Sequence, residues 1–394
     1  MNILYFLGQF PKLSESFVLN EIYELDRRGH QVAVCALNKP TESVSHREYD
    51  ELDISVHWIE TPQYRDVTTL CSTTLLHPGV IKSALHPGSP KHHAANLYRA
   101  KRCIEFVECL PFDLDHVHTH FAKGSNFGAA YVSAYYDVPF TLTTHATDLY
   151  RRPLGRYKPY LLRAVNRLVT ISEYNRSYIR EHFVDDTPID IVHAGIRPDK
   201  FRPSGDPQDG RILTVSRLVE KKGIRYAIEA VAEVAKHVPD VDYHIVGSGP
   251  LQDDLEALVA EHDLHTNVNF LDTVSDDRLL TEYNEARCFL LPCVVAESGN
   301  RDGIPVALME AMAMKIPPVS TTVSGIPELI EDDWNGLLVE PRDPDLIADA
   351  LLTMIRNDSR WRDYRDRTRP QIVDEFNISR EVEKLETTFE RCVQ

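Results

Sequence analysis

The fold is decided by residues 210–249, which read GRILTVSRLVEKKGIRYAIEAVAEVAKHVPDVDYHIVGSG. Its two ends, 210–218 and 241–249, are short runs rich in Val, Ile, Leu and Tyr, and they predict strands. Between them, residues 223–238 place apolar side chains at helical spacing and predict a helix. A strand, a helix and a second strand in this order form the repeating unit of a parallel, doubly wound sheet.

The same alternation extends from this unit toward both ends of the chain. Apolar runs predict further strands at 2–8, 31–37, 115–121, 138–145, 167–172, 188–196, 267–272, 287–293, 317–323 and 335–341. Amphipathic segments predict helices at 14–29, 251–263, 305–314 and 344–357, and the charged tail from residue 371 onward also reads as helical. The chain therefore belongs to the α/β class of folds.

One segment has no such periodicity and predicts a boundary between domains. Residues 197–210, RPDKFRPSGDPQDG, are rich in Pro, Gly and Asp and read as a linker. We expect two Rossmann-like domains, 1–200 and 201–370, followed by a C-terminal helix in 371–394 that packs back on the first domain. The carboxyl ends of the strands of both sheets are expected to face a shared cleft, where such sheets bind ligands.

The charge, the apolar stretches and the cysteines of the sequence limit which partners and which location this protein can have. The 394 residues hold 43 Lys and Arg against 60 Asp and Glu, a net charge of −17. The second half, 201–394, has 21 basic and 37 acidic residues and accounts for −16 of that charge, which argues against a nucleic-acid partner. No apolar stretch reaches the roughly 18 residues that a bilayer span needs, and the N-terminus reads as a first strand rather than a signal peptide. The seven scattered cysteines argue against a disulfide framework and favour a cytoplasmic location.

Basic residues concentrate in two stretches of the first half. Residues 65–102 contain six Lys and Arg against Asp66 alone, and residues 151–180 contain eight against Glu173 alone. Such stretches can face phosphates or an anionic bilayer surface. The second, which begins RRPLGRYKPYLLRAVNR, mixes Arg with Tyr and Leu and suits peripheral contact with an anionic membrane. The alternative is a helix that packs its apolar side on the sheet and leaves its charges in water.

The strongest local signal for chemistry is VSRLVEKKG at 215–223. A predicted strand ends at Val215, the turn presents Arg217, and Lys222 stands just before the helix that starts at Gly223. Two long cations beside a helix N-terminus are suited to bind a pyrophosphate, because free backbone N–H groups and the helix dipole add to their charge. The alternative is a solvated basic turn.

A second signal lies in RDGIPVALMEAMAMKIPPV, residues 301–319. Asp302 and Glu310 are eight residues apart, and a Gly-x-Pro turn between them opens a helix. An acidic side chain on a helix that follows a strand can accept hydrogen bonds from ribose hydroxyls. By itself, the position of Glu310 favours the alternative of an exposed helix carboxylate.

Taken together, these motifs resemble the retaining glycosyltransferases of family 4, which have the GT-B fold. The resemblance runs from residue 2 to about residue 355 and also includes LGQFPKLSESF, HATD (145–148), HAGIRPDKF (193–201), VGSGPL (246–251), GIPE (325–328) and NGLLVEP (335–341). The order and spacing of these segments carry the resemblance more than any one of them. The loop FPKLSESFVLNEI is similar to that of the enzymes that build exopolysaccharides and surface glycans.

The resemblance implies roles for the donor-side residues. Arg217 and Lys222 match the pair that holds the donor diphosphate, and Glu310 matches the second Glu of the family's E-x7-E motif, which binds the ribose. Asp302 stands in place of the first Glu, which touches the hydroxyls of the donor sugar; it is one methylene shorter. Lys315 stands where Gly is usual, in a turn from helix to strand.

The resemblance also implies roles around these residues and in the first domain. The turn before Glu310 contributes donor contacts through Gly303, Ile304 and Pro305. His145 matches a His at the reaction centre, and Gly8 matches the glycine of the first loop, where the donor approaches the backbone. The expected catalytic residues are thus His145, Arg217, Lys222 and Asp302. The residues expected to contact the acceptor are Lys12, Ser14, Glu15, His120 and Asp148.

The strand HVHTH, residues 116–120, contains three histidines that suggest a metal site. Because a strand alternates its faces, His116, His118 and His120 point to one side, and three His can ligate a metal. No carboxylate follows at ligand spacing, and GT-B enzymes generally need no metal, so packing or acceptor contact is the preferred interpretation and no metal or cofactor is expected.

The predicted function is transfer of a sugar from a nucleotide-diphosphate sugar to a glycan or lipid-linked acceptor in surface-polysaccharide synthesis, with retention. A UDP-sugar is favoured over a GDP-sugar as donor. The location is expected to be cytoplasmic, with peripheral contact to the inner face of the membrane. Two alternatives remain at this point: another GT-B enzyme, such as a nucleotide-sugar epimerase or a phosphorylase, and a non-catalytic glycan-binding subunit.

Overall fold

The computed structural model describes residues 1–40, 47–59, 77–153, 155–184 and 186–393. The chain folds as two compact units. Unit 1 comprises Met1–Gly195 and the chain from Ile378 onward, and unit 2 comprises Ile196–Asn377.

Among the described residues, unit 1 contains a parallel sheet of seven strands in the order β3-β2-β1-β4-β5-β6-β7. The strands are β1 (Asn2–Leu7), β2 (Gln31–Ala36), β3 (Ser55–Trp58), β4 (His116–His120), β5 (Phe140–Thr144), β6 (Arg167–Thr170) and β7 (Ile189–Ile191). The helices are α1 (Ser16–Arg27), α2 (Arg47–Asp50), α3 (Pro78–Ser83), α4 (Pro90–Val107), α5 (Phe127–Tyr136), α6 (Ala146–Tyr150), α7 (Lys158–Ala164), α8 (Glu173–His182) and, at the C-terminus, α16 (Ile378–Val393).

Unit 2 contains a parallel sheet of six strands in the order β10-β9-β8-β11-β12-β13. The strands are β8 (Arg211–Val215), β9 (Asp242–Val246), β10 (Val268–Phe270), β11 (Cys288–Leu291), β12 (Pro318–Thr321) and β13 (Leu337–Val339). The helices are α9 (Ile224–Ala235), α10 (Gln252–Glu261), α11 (Asp276–Glu285), α12 (Val306–Ala313), α13 (Ile326–Leu329), α14 (Pro344–Arg356) and α15 (Asp358–Glu375).

The predicted α/β fold of two Rossmann-like units is confirmed. Every strand predicted from an apolar run is present, with bounds one to several residues shorter. Several elements escaped prediction, among them the edge strand β3 and the helices α4, α5, α8 and α11. The edge strand β3 is only four residues long, and α4 buries mostly small or polar side chains, among them Asn96, Ala100 and Cys103. Neither has the apolar pattern from which an element can be recognised.

The strand order fixes where each unit can bind a ligand. In unit 1 the chain winds from β1 through β2 to β3 in one direction, and from β4 through β5 in the other. In unit 2 the same reversal occurs between β8 and β11. Loops leave in opposite directions at such a point and open a crevice at the carboxyl ends of the strands.

The C-terminal region differs in detail from its prediction. α15 continues through Pro370 to Glu375, so the break between the last helices lies at Phe376–Asn377 rather than after residue 370. α16 is part of unit 1: its Val382, Leu385 and Phe389 are buried in the same core cluster as residues of α1 and β1. The predicted linker at 197–210 is irregular, as expected, and belongs to unit 2.

No helix in the described part of the chain is both long enough and apolar enough to cross a bilayer. Six described cysteines are free thiols, and Cys71 lies outside the described residues.

The turn after α12 provides a prediction about stability. Lys315 adopts a left-handed backbone with φ of 60°, in the position where a helix usually ends with Gly. A side chain with a Cβ is strained there, so we expect Lys315→Gly to raise the free energy of unfolding by about 1 kcal/mol. Urea denaturation of the two proteins measures this difference; an unchanged or lower midpoint for the variant would contradict it.

Candidate functional site

The first predicted site residues lie where β8 leads into α9. Arg217 follows the strand and is exposed, and Lys222 ends a short 3-10 turn just before Gly223. Gly223 has a φ of 69°, and a Cβ there would lie 1.9 Å from the carbonyl oxygen of Pro292. Glycine is therefore required for this turn to pack against the end of β11. That close approach brings Lys222 beside the loop that carries Asp302.

Asp302 is held between two lysines. Its Oδ2 lies 2.8 Å from Nζ of Lys222, and its Oδ1 lies 2.6 Å from Nζ of Lys221. All three side chains are largely buried, with 6–13% of their surface exposed. Lys221 was not predicted as a site residue. It bridges the predicted diphosphate-binding turn to the predicted sugar-binding carboxylate.

The charges of this cluster stabilise one another. Burial by itself would raise the pKa of Asp302, but Lys222 and Lys221 lower it well below its usual range. Burial likewise disfavours the charged form of Lys222, and Asp302 more than offsets this, so the pKa of Lys222 is raised. The thiol of Cys293, 3.6 Å from Oδ2 of Asp302, has a raised pKa because it is buried and faces this carboxylate. Lys222 and Asp302 are therefore charged at neutral pH, and the thiol of Cys293 is not.

Glu310 lies on α12, beyond the turn made by Gly303, Ile304 and Pro305, which are buried. Its Oε2 accepts a hydrogen bond of 2.8 Å from the hydroxyl of Tyr283, a fully buried residue of α11. Burial and the adjacent carboxylate raise the pKa of Tyr283 well above its usual value, so the hydroxyl remains a donor. Tyr283 thus orients Glu310, a contact that spacing along the chain could not predict.

The glycines of VGSGPL, residues 246–251, pack closely against the turn that carries Arg217. A Cβ on Gly247 would lie 2.1 Å from the carbonyl oxygen of Ser216, and one on Gly249 would lie 2.5 Å from that of Leu218. The backbone N–H of Leu218 donates to the carbonyl of Ser248 at 3.0 Å. These glycines therefore let the loop after β9 support the turn that presents Arg217.

In unit 1, His145 is the last residue before α6 and is only 6% exposed. Its ring contacts the rings of Phe17 and Phe121, each at a centroid distance of 4.6 Å. Its Nε2 is 3.0 Å from Nδ1 of His120, whose Nε2 is 3.1 Å from Oε1 of Glu21. A hydrogen-bonded chain thus runs from Glu21 through His120 to His145.

This chain selects a protonation state for His145. A carboxylate can only accept, so Nε2–H of His120 donates to Glu21, and Nδ1 of His120 then accepts from Nε2–H of His145. Burial, His120 and Lys123 lower the pKa of His145 well below its usual value, so the imidazole is neutral. His120, predicted to contact the acceptor, is buried, and both of its ring nitrogens are hydrogen-bonded within this chain.

Asp148 joins two loops at the carboxyl edge of the sheet. Its Oδ2 accepts from the backbone N–H of Ala122 and its Oδ1 from that of His145, both at 2.8 Å. Burial raises the pKa of Asp148 to about 6, although these hydrogen bonds and Lys158 oppose the shift. The carboxylate, predicted to contact acceptor, therefore ties the loop after β4 to the start of α6.

Two histidines of β4 lie next to the carboxylate of Glu21, which is distant from them in sequence. Glu21 of α1 approaches His118 and His120, and among the described residues these three form the one group whose possible ligand atoms all lie within 4.8 Å of one another. Their polar atoms already have partners in the protein: His118 contacts the hydroxyls of Thr141 and Thr143, at 2.7 and 3.1 Å. Sequence spacing missed this carboxylate because it is supplied by a different element.

The first-loop residues line a pocket of about 320 Å³ at the carboxyl ends of β1, β2, β3 and β4. Gly8, Lys12 and Glu15 lie in its wall, together with Arg99 and Lys123, which the sequence did not single out. Lys12 and Glu15 form an ion pair with each other. A Cβ on Gly8 would meet open space, so the backbone there is accessible. Ser14, also predicted to contact acceptor, is exposed on the 3-10 turn beside this pocket.

The second basic stretch, residues 151–180, has both exposed and buried side chains. Arg151, Arg152 and Arg156 are exposed, and so is Tyr160 at 40%. The apolar residues of α7, Leu161 and Leu162, are fully buried in the core of unit 1. Leu161 and Leu162 therefore pack on the sheet and are not available to a membrane surface, and Leu154 lies outside the described residues. In the first stretch, Arg65 and Asp66 lie outside the described residues.

Two parallel α/β units, each with charged side chains at the reversal of its strand order, have the architecture of the GT-B glycosyltransferases. The sequence matches the family described as Glycosyltransferase Family 4 over residues 14–200 and the one described as Glycosyl transferases group 1 over residues 209–357. A protein of Escherichia coli K12 named for colanic acid biosynthesis is 30% identical over 98% of this chain and 99% of its own length. The amylovoran biosynthesis glycosyltransferase of Erwinia amylovora is 29% identical over 99% of this chain and 100% of its own. The chain belongs to glycosyltransferase family 4, and it is a retaining glycosyltransferase.

Solved structures confirm the GT-B fold over the full length. A glycosyltransferase from Rickettsia africae superimposes with a TM-score of 0.75 at 16% identity, covering 100% of this chain and 99% of that one. Anabaena HepE, solved in complex with UDP, also gives 0.75 at 16% identity, covering 99% of this chain and 100% of that one. At this identity the likeness concerns the fold alone.

Proposed function

We propose that this enzyme transfers a hexose from a UDP-sugar to a glycan or lipid-linked acceptor during assembly of a surface polysaccharide. The observation that carries the proposal is the arrangement in unit 2: Arg217 and Lys222 precede α9, Asp302 contacts Lys222, and Glu310 lies on the following α12. Support also comes from full-length relatives named for colanic acid and amylovoran biosynthesis, and from the UDP bound in Anabaena HepE.

The donor-side residues have complementary tasks in this proposal. Arg217 and Lys222 hold the diphosphate, and the negative charge that develops on it as the glycosidic bond breaks is stabilised by them. Glu310, oriented by Tyr283, accepts hydrogen bonds from the ribose hydroxyls. Asp302 accepts from a hydroxyl of the donor sugar, and Lys221 keeps it ionised and fixed for that contact. Gly303, Ile304 and Pro305 form the wall of the donor site before α12.

Retention follows from attack on the same face that the leaving group departs from. The bond from the anomeric carbon to the diphosphate oxygen breaks, and a bond to the acceptor oxygen forms. The acceptor proton passes to the departing phosphate oxygen, so no protein nucleophile is required. His145, neutral and held by its hydrogen bond to His120, packs beside the transferred sugar, and Glu21 acts through His120 as a positioning residue.

The test of the donor site compares UDP with the complete UDP-sugar. Glu310→Gln is expected to weaken both ligands by roughly tenfold, because a charge-assisted hydrogen bond to the ribose is lost. Calorimetric titration of wild type and variant measures the two dissociation constants. Glu256→Gln, a change on an exposed face of α10, is the matched control and should leave both constants unchanged.

The same titration separates the two carboxylates. Asp302→Asn should weaken the UDP-sugar more than UDP, because only the sugar nucleotide reaches this side chain. Equal losses of both ligands in both variants would refute the assigned roles. No binding of UDP, UDP-glucose or UDP-galactose to the wild-type protein would refute the UDP-sugar donor itself.

Peripheral membrane contact is a further part of the proposal. Arg151, Arg152 and Arg156 are exposed next to Tyr160, and cations beside an aromatic ring suit an anionic bilayer surface. We expect the protein to float with anionic vesicles at low salt and to lose this binding at high salt, because the attraction is screened. Replacing the three arginines by Ser should abolish flotation. Equal flotation of the triple variant, or none of wild type at low salt, would contradict the prediction.

A further inference from the structure

The pocket of unit 1 lies where the strand order of the sheet reverses. The loops after β1, β2 and β4 contribute Gly8, Asn38 and Lys123 to its wall, and Arg99 enters from α4. Its volume of about 320 Å³ is at the lower end of the range for small-molecule sites. A crevice of this size at a reversal point accommodates one sugar unit or a phosphate group.

The charge of the pocket is positive. Four ionisable side chains line it: Lys12, Glu15, Arg99 and Lys123. Lys12 and Glu15 neutralise each other as an ion pair. Arg99 and Lys123 have no carboxylate partner among the described residues, so two positive charges face the cavity uncompensated.

Arg99 is held in place rather than free in solvent. It is partly buried, and one of its terminal N–H groups donates to Oδ1 of Asn96 at 3.2 Å. Asn96 is fully buried and donates in turn to the carbonyl oxygens of His92 and Gly124, at 3.0 and 3.1 Å. Burial lowers the pKa of Arg99 without an anion to offset it. A desolvated guanidinium with a fixed orientation is suited to bind an anionic ligand.

The backbone two residues before Lys123 has an unusual conformation. Phe121, directly after β4, has a φ of 69°, which is rare for an aromatic residue. This conformation places the ring of Phe121 under Lys123, whose Nζ lies 4.7 Å from the ring centroid. The same ring contacts that of His145, at a centroid distance of 4.6 Å. Strained residues of this kind collect at ligand sites, and this one joins the pocket to the predicted reaction centre.

We propose that this pocket binds an anionic group of the acceptor, a carboxylate or a phosphate, through Arg99 and Lys123. The inference rests on the proposed function and specifies its acceptor class. The planar guanidinium donates two parallel hydrogen bonds to two oxygens of one carboxylate or phosphate, and Lys123 adds a point charge. A sugar acid within the glycan or the phosphate that links a glycan to its carrier would both supply this chemistry.

The experiment titrates matched pairs of probes with the donor site saturated by UDP. Glucuronate is compared with methyl glucoside, and glycerol 3-phosphate with glycerol, by ligand-observed NMR. We expect at least one anion to bind ten times or more tightly than its neutral counterpart. Preference for glucuronate identifies a sugar acid, and preference for glycerol 3-phosphate identifies a phosphate.

Variants assign that binding to the pocket. Arg99→Gln should weaken the preferred anion at least tenfold, and Lys123→Gln several-fold, while UDP binding stays unchanged. The matched control is Arg102→Gln, on the same helix, whose side chain is 43% exposed and paired with Glu105; it should leave the anion affinity as in wild type. Thermal unfolding of each variant verifies that it is folded.

The inference fails if neither anion binds better than its neutral counterpart, or if Arg102→Gln weakens the anion as much as Arg99→Gln does. The donor assignment is read separately, by the UDP titration in the same samples. A protein that binds UDP but discriminates no anion retains the proposed function and loses the inferred acceptor class.

Discussion

Replacing Asp302 with Asn is expected to lower the free energy of unfolding by about 3–5 kcal/mol, the usual effect of removing one partner from a buried ion pair. The reason is that Lys221 and Lys222, both largely buried, would be left facing each other without a counter-charge. Urea denaturation provides the measurement. Glu229→Gln in the same unit is the control: its partner Arg225 is 68% exposed, and such pairs contribute little.

A double variant tests whether the loss is electrostatic. Lys221→Met in the Asp302→Asn background removes one of the uncompensated charges and keeps most of the volume of the side chain. We expect it to recover part of the lost stability, so that the two changes are not additive. If the double variant is less stable than Asp302→Asn by the full effect of a second substitution, the ion cluster is not the cause.

The pH dependence of stability gives the same test without a second mutation. The pKa of Asp302 is lowered in the folded protein, so its contribution is fully present above the unfolded value of about 4 and is lost as the pH falls below it toward the folded pKa. The difference in the free energy of unfolding between wild type and Asp302→Asn should therefore be constant from pH 5 to 7, at about 3–5 kcal/mol. It should shrink below about pH 4. A difference that persists undiminished at low pH would contradict the mechanism.

Arg217→Gln is expected to lower kcat/KM about 10- to 150-fold and to leave thermal stability unchanged. A charge-assisted hydrogen bond is worth about 1.5–3 kcal/mol, and here it would be lost from the transition state in which the diphosphate departs. The arginine is exposed, so its removal leaves no buried charge behind. Lys222→Met should lower activity by a similar factor and also lower stability, because Asp302 loses a partner.

Steady-state kinetics with a UDP-sugar and thermal unfolding on the same samples separate the two variants. Arg225→Gln, an exposed position in the first turn of α9, is the control for a change of charge near the helix start and should behave like wild type. Wild-type turnover by Arg217→Gln would remove the residue from the donor site. A loss of stability equal to that of Lys222→Met would show that the arginine has a structural role instead.

The sequence determined the fold because periodicity and turn chemistry are local properties. The strand, helix and strand of 210–249 follow from apolar spacing, and Gly223 marks the turn that only glycine can make there. The order of the motifs also identified the family and the donor-side residues Arg217, Lys222, Asp302 and Glu310. Elements without that local pattern, such as β3 at the sheet edge and the polar helix α4, were missed.

The partners of those residues were decided by tertiary structure alone. Glu21 contacts His120 from a helix 99 residues earlier in the sequence. Tyr283 contacts Glu310 from the preceding helix. Arg99 joins Lys123 because α4 and the loop after β4 meet at one end of the sheet. Strand order in a parallel sheet is set by packing of whole elements, so which side chains converge at its reversal point cannot be derived from the spacing of residues along the chain.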